Sequence, residues 1–582
     1  MSIRGRSVIP LGVSIVLLAS GWQLWALHAR FWNEGWHSSV LGYDAGQYAV
    51  AARELAEHGR LATPFALPIE LAWHPDPPWP LAAVEPGLLV IEASVQALAP
   101  SSLGPVAQRM LWLDTPGRRE RLALVFPFTC YLALGVALAL LAANILARHT
   151  PQAPALERAA GATVVGGAFL LDPAAQQLAM GGSPHLPFTF GVVAALAMVG
   201  SGWASRHVFV FGLWLGLTGS FRAAQPWFGP LLALAAVLAT PPKRTPLQAA
   251  VAFTLCLVGF ALPLVPWWLY KWRAFGSPIW DLWGWTLWDG IQGNSWFSIL
   301  HLPEPPRLPG IAAAPGLWAA KWVRGLPALV GLLAAGPGLF WIASTTLWLA
   351  ARRGARPSAF GAGALLALAA LCVGSTALGL PWSRDLFPVR IALEAAGLLT
   401  AWALVGRLPS QTLGPGGGRA LRLAVALLAL GWGGLQTARG NHRAGLVAAR
   451  SGSPAPAMLE DLTRRLSREL PSAEPLMSNL GPSLAWYARR PVLDLALTPS
   501  DVEACRQKLP FQHVVLAFRD AAQVWSGWRE PFERPRGALA HPEWNLMHAR
   551  RWQTADGFRV VWLELGPPRE QLALRTKTER HR

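Results

Sequence analysis

Charged residues are scarce in this chain. Only 14% of its 582 residues are Asp, Glu, Lys or Arg, whereas a soluble domain carries about 25%. Apolar residues make up 53% and come in long blocks, such as the run from 122 to 147. A helix of roughly 20 apolar residues crosses the hydrocarbon core of a bilayer. Several blocks reach that length, so the composition excludes a soluble globular protein and predicts a membrane protein with many helices.

Cysteine is scarce as well. Of the four cysteines, Cys130, Cys256 and Cys372 lie inside apolar runs, and Cys505 stands alone in the polar C-terminal segment. This pattern excludes a disulfide framework, and no metal-ligand spacing involves any of the four. A glycine-rich nucleotide fingerprint is also absent. We therefore expect neither a nucleotide cofactor nor a cysteine-based metal centre, and leave dependence on a divalent metal open.

Acidic residues are outnumbered, at 32 against 50 Lys and Arg. Such an excess can indicate nucleic-acid binding, but here the basic residues are scattered between apolar segments without a basic run interleaved with aromatic residues. The short cytoplasmic loops of membrane proteins collect Lys and Arg, which explains the excess without nucleic acid. The 31 Trp residues suit interfacial belts and a sugar- or lipid-facing cavity equally well. The preference for Arg over Lys and the many Ala and Gly residues favour a bacterial source.

The apolar blocks predict about eleven membrane-spanning helices. Their approximate ranges are 8–28, 122–147, 157–173, 185–204, 207–221, 225–240, 248–270, 326–350, 359–380, 387–406 and 419–437. The first has a basic start and a long apolar run without a clear small-x-small cleavage site. These features favour an uncleaved first helix over a signal peptide.

The basic residues set the expected orientation. Arg4 and Arg6 precede the first span, so the positive-inside rule places the N-terminus in the cytoplasm. Alternation then puts three polar segments outside, which in a bacterium is the periplasmic side of the inner membrane: loops 29–121 and 271–325 and the tail 438–582. Lys271 and Arg273 follow the seventh span on that side, against the rule. A functional anion site explains them, and so does an error in the span count.

The patterns in the tail predict a small α/β domain. We therefore expect a transmembrane domain over residues 1–437 and an external domain over residues 438–582. Helical periodicity marks PAMLEDLTRRLSREL and SDVEACRQKL. Short strands are predicted at LMSN, VLDLAL, FQHVVLAF and FRVVWLEL. The predicted fold is thus a polytopic helical membrane protein with an external α/β domain at its C-terminal end.

The most informative segment is GYDAGQYAVAARELAEHGRLATPF, which begins at Gly42. Asp44 stands where a helix would start, a position at which the helix dipole favours a carboxylate and at which Asp is a common cap. The pattern of Asp44 and Tyr48 before an amphipathic helix resembles the first external loop of GT-C superfamily glycosyltransferases, including the protein O-mannosyltransferase and lipid A aminoarabinose transferase relatives. That resemblance implies that Asp44 is the catalytic base contacting the acceptor hydroxyl.

Three later segments extend the resemblance, and each supplies basic residues. They are GSFRAAQPW with Arg222, PWWLYKWRAFGSPIW with Lys271 and Arg273, and PWSRDLFPVRIALEAAG with Arg384. The resemblance implies that these four side chains bind the donor phosphate, Arg384 foremost. The alternative is that each arginine only reaches to the lipid headgroups.

Further positions match less closely. The segment DPAAQQLAMGGSPHLPFTF has His185 near the place where relatives carry an acid before proline, so His185 is either a substitute polar contact or a helix-start histidine. Glu85 precedes a Pro-Gly turn in the first loop and is a candidate second acid. His74, with Asp76, is a candidate for a metal or acceptor contact. The tail segment EPLMSNLGPSLAWYARRPVLDLAL resembles one that is common in the C-terminal domains of bacterial relatives.

Taken together, the resemblance implies a glycosyltransferase that moves a monosaccharide from a polyprenyl-phosphate donor to a lipid, glycan or protein acceptor at the periplasmic face. Membrane lipids are the other expected partners. A non-enzymatic transporter or flippase for lipid-linked glycans, or an accessory protein for them, is the alternative. A flippase should carry ionisable residues deep in several spans, and here Glu394, which Arg390 can reach one helical turn away, is the main deep example. A structural scaffold would leave the Asp44 loop unexplained.

Overall fold

The structure is a computed structural model. It describes residues 43–102, 122–149, 154–200, 202–222, 228–238, 244–291, 295–306, 314–334, 456–471, 474–535, 546–554 and 557–567, and the single residues 21, 390, 391, 394, 395, 398, 399, 417 and 435. The predicted spans 8–28, 359–380, 387–406 and 419–437 lie outside these ranges apart from single residues.

Helices dominate the part of the chain before residue 335. In chain order they are α1 (Tyr43–His58), α2 (Pro86–Ser102), α3 (Leu122–His149), α4 (Ala155–Leu170), α5 (Pro173–Met180), α6 (His185–Gly200), α7 (Trp203–Arg206), α8 (Val208–Gly219), α9 (Phe228–Leu238), α10 (Pro246–Ala261), α11 (Val265–Phe275), α12 (Trp296–Leu300) and α13 (Pro315–Ala334). Local signals start several of them. Asp172 caps α5 by accepting a hydrogen bond from the Ala174 amide, 3.1 Å away, with Pro173 in the first position.

One described helix, over Leu122–Ala147, is long and apolar enough to cross a membrane, and the bent pair α10 and α11 passes the same test as one broken span. Shorter apolar helices cover Pro86–Leu98, His185–Val199 and Val208–Gly219. The predicted continuous span 248–270 is wrong in one respect. The chain bends by 56° between α10 and α11, because Pro263 and Pro266 remove backbone donors there. Lys271 and Arg273 consequently lie within α11 rather than in the loop after it.

The C-terminal segment forms a sheet flanked by helices. Its helices are α14 (Pro456–Glu469), α15 (Gly481–Ala488), α16 (Asp501–Lys508) and α17 (Arg529–Glu533), and its strands are β4 (Leu476–Ser478), β5 (Val492–Asp494), β6 (His513–Phe518), β7 (Leu546–Gln553) and β8 (Arg559–Leu565). These elements include every helix and strand that the sequence patterns predicted in this region. Alternate strand residues point to opposite faces. Val515 packs towards α14 on one side, and Val514 towards α16 on the other.

The sheet has one strand from far away in the sequence. Three short strands lie between α1 and α2, namely β1 (Ala62–Thr63), β2 (Phe65–Ala66) and β3 (Trp79–Pro80). The order of the six-stranded sheet is β2-β5-β4-β6-β8-β7. Phe65 of β2 pairs in parallel with Val492 of β5, and the Val492 amide donates to the Pro64 carbonyl over 2.8 Å. The first loop therefore supplies an edge strand to the sheet of the C-terminal segment, across the predicted boundary at 437.

Helix α1 is held between the C-terminal segment and the apolar helices. On one side it packs on α2 and α3. On the other it runs along α15, where a Cβ atom on Gly46 would come within 3.0 Å of the Pro482 side chain. Further along the helix, Arg53 donates to the Ala485 and Trp486 carbonyls over 3.1 and 2.5 Å. Asp44 is thus carried by an element with a fixed place in the fold.

Candidate active site

Asp44 lies in the first turn of α1, half-buried, followed by a continuous buried stretch from Ala45 to Arg53. The run of small residues after it lets neighbouring elements approach the helix closely. The position also puts the carboxylate at the positive end of the helix dipole, where acidic residues are common. Asp44 is therefore suited both to begin the helix and to present a carboxylate beside it.

Tyr48, one turn further along α1, connects Asp44 to two other predicted residues. Its hydroxyl accepts a hydrogen bond from the Glu85 amide over 3.3 Å. Burial, then the Glu85 carboxylate, raises the pKa of this hydroxyl well above its ordinary value, and the charges of Arg222 and Asp44 also act on it. Tyr48 therefore stays protonated at neutral pH and is excluded as a base. The charges of Asp44, Glu85 and Arg222 therefore all act on this hydroxyl.

The turn that contains Glu85 is locked against the end of α8. The Gly87 amide donates to the Ser220 carbonyl over 2.9 Å. A Cβ atom at position 87 would lie 2.4 Å from the Ser220 hydroxyl oxygen and 2.9 Å from its carbonyl carbon. Only glycine fits this approach. The contact holds the Glu85 turn beside Arg222, two residues after Ser220.

A second glycine turn brings His185 to the same place. Gly182 has φ +58°, and a Cβ atom there would lie 2.8 Å from the Ala45 Cβ, next to Asp44. His185 Nε2 is 3.2 Å from an Arg222 guanidinium nitrogen, and its Nδ1 is 3.1 Å from the Ser183 hydroxyl. Because arginine can only donate, Nε2 accepts and Nδ1 carries the proton towards Ser183. His185 therefore fixes the direction of the Arg222 side chain.

These contacts gather Asp44, Tyr48, Glu85, His185 and Arg222 from four separate segments of the chain. The cluster combines a carboxylate at a helix start, a second buried carboxyl group and an oriented guanidinium. A carboxylate can take a proton from an attacking hydroxyl. A guanidinium can stabilise negative charge on a departing oxygen. The arrangement thus has the parts for transferring a group from an anionic leaving group to a hydroxyl.

Three other predicted residues lie elsewhere, around α11. Lys271 is 4% exposed, donates to the Leu81 and Ala82 carbonyls over 2.9 and 3.0 Å and faces the rings of three aromatic residues at 5.0 Å each: Trp267, Phe275 and Trp280. It supports the chain just before Glu85. His74 bonds to the Ala274 carbonyl at 2.6 Å, and Arg273 is exposed.

Arg384 lies outside the described residues, but a charged group close to it in sequence is described. Arg390 donates to Glu394 over 2.8 Å and to Asp172 over 2.9 Å. The predicted pairing of Arg390 with Glu394 is confirmed, and the cap of α5 is its second partner. Each charged side chain in this buried group therefore lies next to a side chain of opposite charge. Such pairing offsets the cost of removing the charges from water.

No three His, Cys, Asp or Glu side chains within the described ranges come together as a metal-ligand set.

The sequence left several positioning residues unidentified. Gly87 and Gly182 were visible as turn residues, in EPG and GGSP, but their close contacts join segments that are distant in sequence. Asp494, at the end of β5, gave no signal of its own because an acid at the end of a strand is ordinary.

Neither a family model nor a curated protein matches the chain. Among solved structures, ArnT from Cupriavidus metallidurans, a lipid A aminoarabinose transferase bound to undecaprenyl phosphate, aligns with a TM-score of 0.50 at 16% identity, over 96% of this chain and 98% of that one. The oligosaccharyltransferase of Archaeoglobus fulgidus, in a complex with Zn and sulfate, aligns with a TM-score of 0.52 at 13% identity, over 94% and 72%.

The chain has the GT-C fold. The resemblance inferred from the sequence is confirmed at the level of the fold, since the two structures align with 96% and 94% of this chain. The helix over Leu122–Ala147 and the bent pair α10 and α11 are the described segments with the length and apolar composition that the predicted membrane location requires. At these low identities the likeness concerns the fold, and the chemistry has to be argued from the Asp44 cluster.

Proposed function

We propose that this chain is a glycosyltransferase that moves a monosaccharide from a polyprenyl-phosphate donor to a hydroxyl acceptor. The observation that carries the proposal is the convergence of Asp44, Glu85 and Arg222 around the Tyr48 hydroxyl within a GT-C fold. Asp44 and Arg222 both act on the Tyr48 hydroxyl and carry opposite charges. The carboxylate suits an acceptor hydroxyl, and the guanidinium suits a donor phosphate.

In the proposed step the acceptor oxygen attacks the anomeric carbon of the sugar. The bond between that carbon and the phosphate oxygen breaks, and its electron pair leaves with the polyprenyl phosphate. The acceptor proton passes to Asp44. Arg222, held by His185, stabilises the charge on the departing phosphate. Sugar, proton and leaving group are then all accounted for.

Two observations support a polyprenyl-phosphate donor: the oriented Arg222 side chain, and the lipid bound in one structurally similar protein. An oriented arginine suits a phosphate, and ArnT was solved with undecaprenyl phosphate. We propose that the isoprenoid tail lies in the bilayer and the phosphate at Arg222, with Arg384 as a further contact. Arg273 is exposed on α11, away from the Asp44 cluster, and suits a lipid headgroup. Lys271 instead supports the loop before Glu85, since two carbonyls and three rings surround its ammonium group.

The proposed placement is the bacterial inner membrane, with the Asp44 cluster and the segment 438–582 on the periplasmic side. A charged sugar phosphate cannot cheaply enter hydrocarbon, so the reaction belongs at that interface. A reporter that is active only in the periplasm, fused after Arg582, should be active. A silent fusion would contradict this orientation.

The decisive experiment is Asp44→Asn in membranes supplied with labelled sugar on a polyprenyl-phosphate donor. Loss of a general base should lower transfer roughly 100- to 10,000-fold. Asp461→Asn is the matched control, because the Asp461 side chain is 42% exposed on α14 and its ion pairs within the described ranges are with neighbouring arginines. Normal transfer by a folded Asp44→Asn protein would rule out the assignment. Arg222→Ala should raise the donor concentration needed for half-maximal rate, whereas a headgroup contact would leave it unchanged.

One observation favours the alternative of a transporter. Glu92 on α2 is 1% exposed, and neither of its carboxyl oxygens has a hydrogen-bond partner among the described residues. Buried acids of this kind occur in proton-coupled transporters. Glu92→Gln should leave sugar transfer within about threefold if the protein is a transferase, and abolish lipid-linked glycan movement if it is a transporter.

A further inference from the structure

Asp494 is a buried carboxylate outside the cluster just described. It ends β5 in the C-terminal sheet and is 2% exposed. Its Oδ1 accepts a hydrogen bond from the Leu495 amide over 2.9 Å. Burying a carboxylate is costly unless other groups satisfy it. The partners of its second oxygen come from two remote parts of the chain.

The first partner is Tyr43, the residue directly before Asp44. The Tyr43 hydroxyl donates to Asp494 Oδ2, and its ring meets the Phe65 ring edge-on, with centroids 5.9 Å apart. Gly481, with φ +40°, lies against all three side chains, since a Cβ atom there would come within 3.1 to 3.5 Å of Phe65, Tyr43 and Asp494. The C-terminal segment therefore holds the residue with which α1 begins.

The second partner is His301, which follows α12 in the Trp-rich loop. Its Nδ1 donates to the Phe297 carbonyl over 2.7 Å, which turns Nε2 towards Asp494 Oδ2, 3.5 Å away. The loop is fixed by its backbone as well, because the Leu497 amide donates to the His301 carbonyl over 2.9 Å. The Trp525 ring packs on the imidazole, with centroids 5.0 Å apart.

We infer that Asp494 is a positioning residue for Asp44. It joins the start of α1, the Trp-rich loop and the C-terminal sheet at a single carboxylate. Because Tyr43 and Asp44 share a peptide bond, fixing the Tyr43 side chain restricts the backbone that carries the Asp44 carboxylate. Catalytic geometry is sensitive to shifts of about 1 Å. The C-terminal segment thus acts on the reaction through Tyr43, without touching substrate. This inference rests on the proposed function for its kinetic part only.

The test compares Asp494→Ala, Asp494→Asn and Tyr43→Phe with the control Asp501→Asn. Asp501 lies in the same segment, and its carboxylate accepts hydrogen bonds from Thr498, three residues away. Hydrogen–deuterium exchange of the purified full chain gives the readout that is independent of activity. Asp494→Ala should speed exchange of amides in 43–50 and 295–302 at least tenfold, and leave 246–261 at the wild-type rate. Unchanged exchange at 43–50 would overturn the inference.

Kinetics supply the second readout. Asp494→Ala and Tyr43→Phe should lower kcat roughly 10- to 100-fold with an unchanged donor KM. Asp494→Asn keeps an acceptor for Tyr43 and should recover part of the rate. Asp501→Asn should stay within twofold of wild type. If Asp494→Ala fails to fold, Tyr43→Phe tests the same link by removing only a hydroxyl. Faster exchange at 43–50 with wild-type kcat would refute the kinetic role, and a wild-type chain without transferase activity would refute the proposed function alone.

Discussion

The contact between Gly87 and Ser220 makes the sharpest prediction about the Asp44 cluster. In Gly87→Ala the new methyl group would meet the Ser220 hydroxyl oxygen at 2.4 Å and the carbonyl carbon at 2.9 Å. Rotating the serine relieves the first clash only, at the expense of its bond to the Leu217 carbonyl, 2.6 Å long. The second clash is with backbone. The turn that contains Glu85 must therefore move away from Arg222.

The size of the effect follows from that geometry. An ordinary contact distance requires a shift of roughly 1 Å at the hydroxyl, and overpacking of this kind costs roughly 1–3 kcal/mol. Stretching the bond from the Gly87 amide to the Ser220 carbonyl, now 2.9 Å, removes about 1 kcal/mol more. We expect the free energy of unfolding to fall by roughly 2–4 kcal/mol. Transfer should slow by up to about 100-fold.

The assay is thermal unfolding in detergent together with sugar transfer in membranes. Gly316→Ala is the matched control, because no described atom lies within 4 Å of a Cβ atom at that position in α13, and alanine there should be neutral or slightly stabilising. Adding Ser220→Ala to Gly87→Ala should restore only part of the stability, since the backbone clash remains. A Gly87→Ala protein with the stability and transfer rate of wild type would refute the close packing of these two turns.

Two further predictions concern the surroundings of α1 and the first loop. Burial raises the pKa of the Glu70 carboxyl group to about 8, although the Leu67 amide and the Lys271 charge act to lower it. The carboxyl proton is therefore lost near pH 4.5 in the unfolded chain and only near pH 8 in the folded chain. The free energy of unfolding should therefore fall by up to about 1.4 kcal/mol per pH unit as the pH rises through that window. If unfolding free energy depends on pH in the same way in Glu70→Gln and wild type, this prediction is wrong. Arg53→Met should lower the unfolding free energy by about 3 kcal/mol, because two carbonyls at the end of α15 lose their donor. Arg464→Met is the control, because the Arg464 side chain is 67% exposed, and it should change the unfolding free energy by less than about 0.5 kcal/mol. Equal effects of the two substitutions would show that Arg53 does not hold α1 against α15.

Local patterns predicted the elements better than their contacts. The spacing of Asp44 and Tyr48 placed both on one helix, and the β-branched and aromatic residues of FQHVVLAF predicted the strand that is β6. The break between α10 and α11 was readable in the LPLVP sequence but was covered by the strong apolar signal around it. These features are determined by residues that are close together in the sequence, so one sequence is enough to predict them.

The assembly of the candidate site depended on long-range contacts. Arg222 was predicted as one of four phosphate contacts, and no pattern indicated that His185 would orient it. Lys271 carried the same expectation from the family resemblance of its segment, yet aromatic rings and carbonyls enclose it. No periodicity encodes which carbonyl a buried ammonium group will meet. Such contacts arise when distant segments pack, so only the folded chain reveals them.

The pairing of Phe65 with Val492 sets an order of events during synthesis. The strand that ends the sheet leaves the ribosome early, but its partner appears only when most of the chain has been made. Contacts of such long sequence separation form slowly, so β2 must wait, unpaired, while the apolar helices insert. A C-terminal segment expressed without the first loop would leave β5 as a bare sheet edge, which invites pairing with other chains. Expression of residues 438–582 alone should therefore give aggregates, and joining residues 59–85 to that segment in one polypeptide should suppress them.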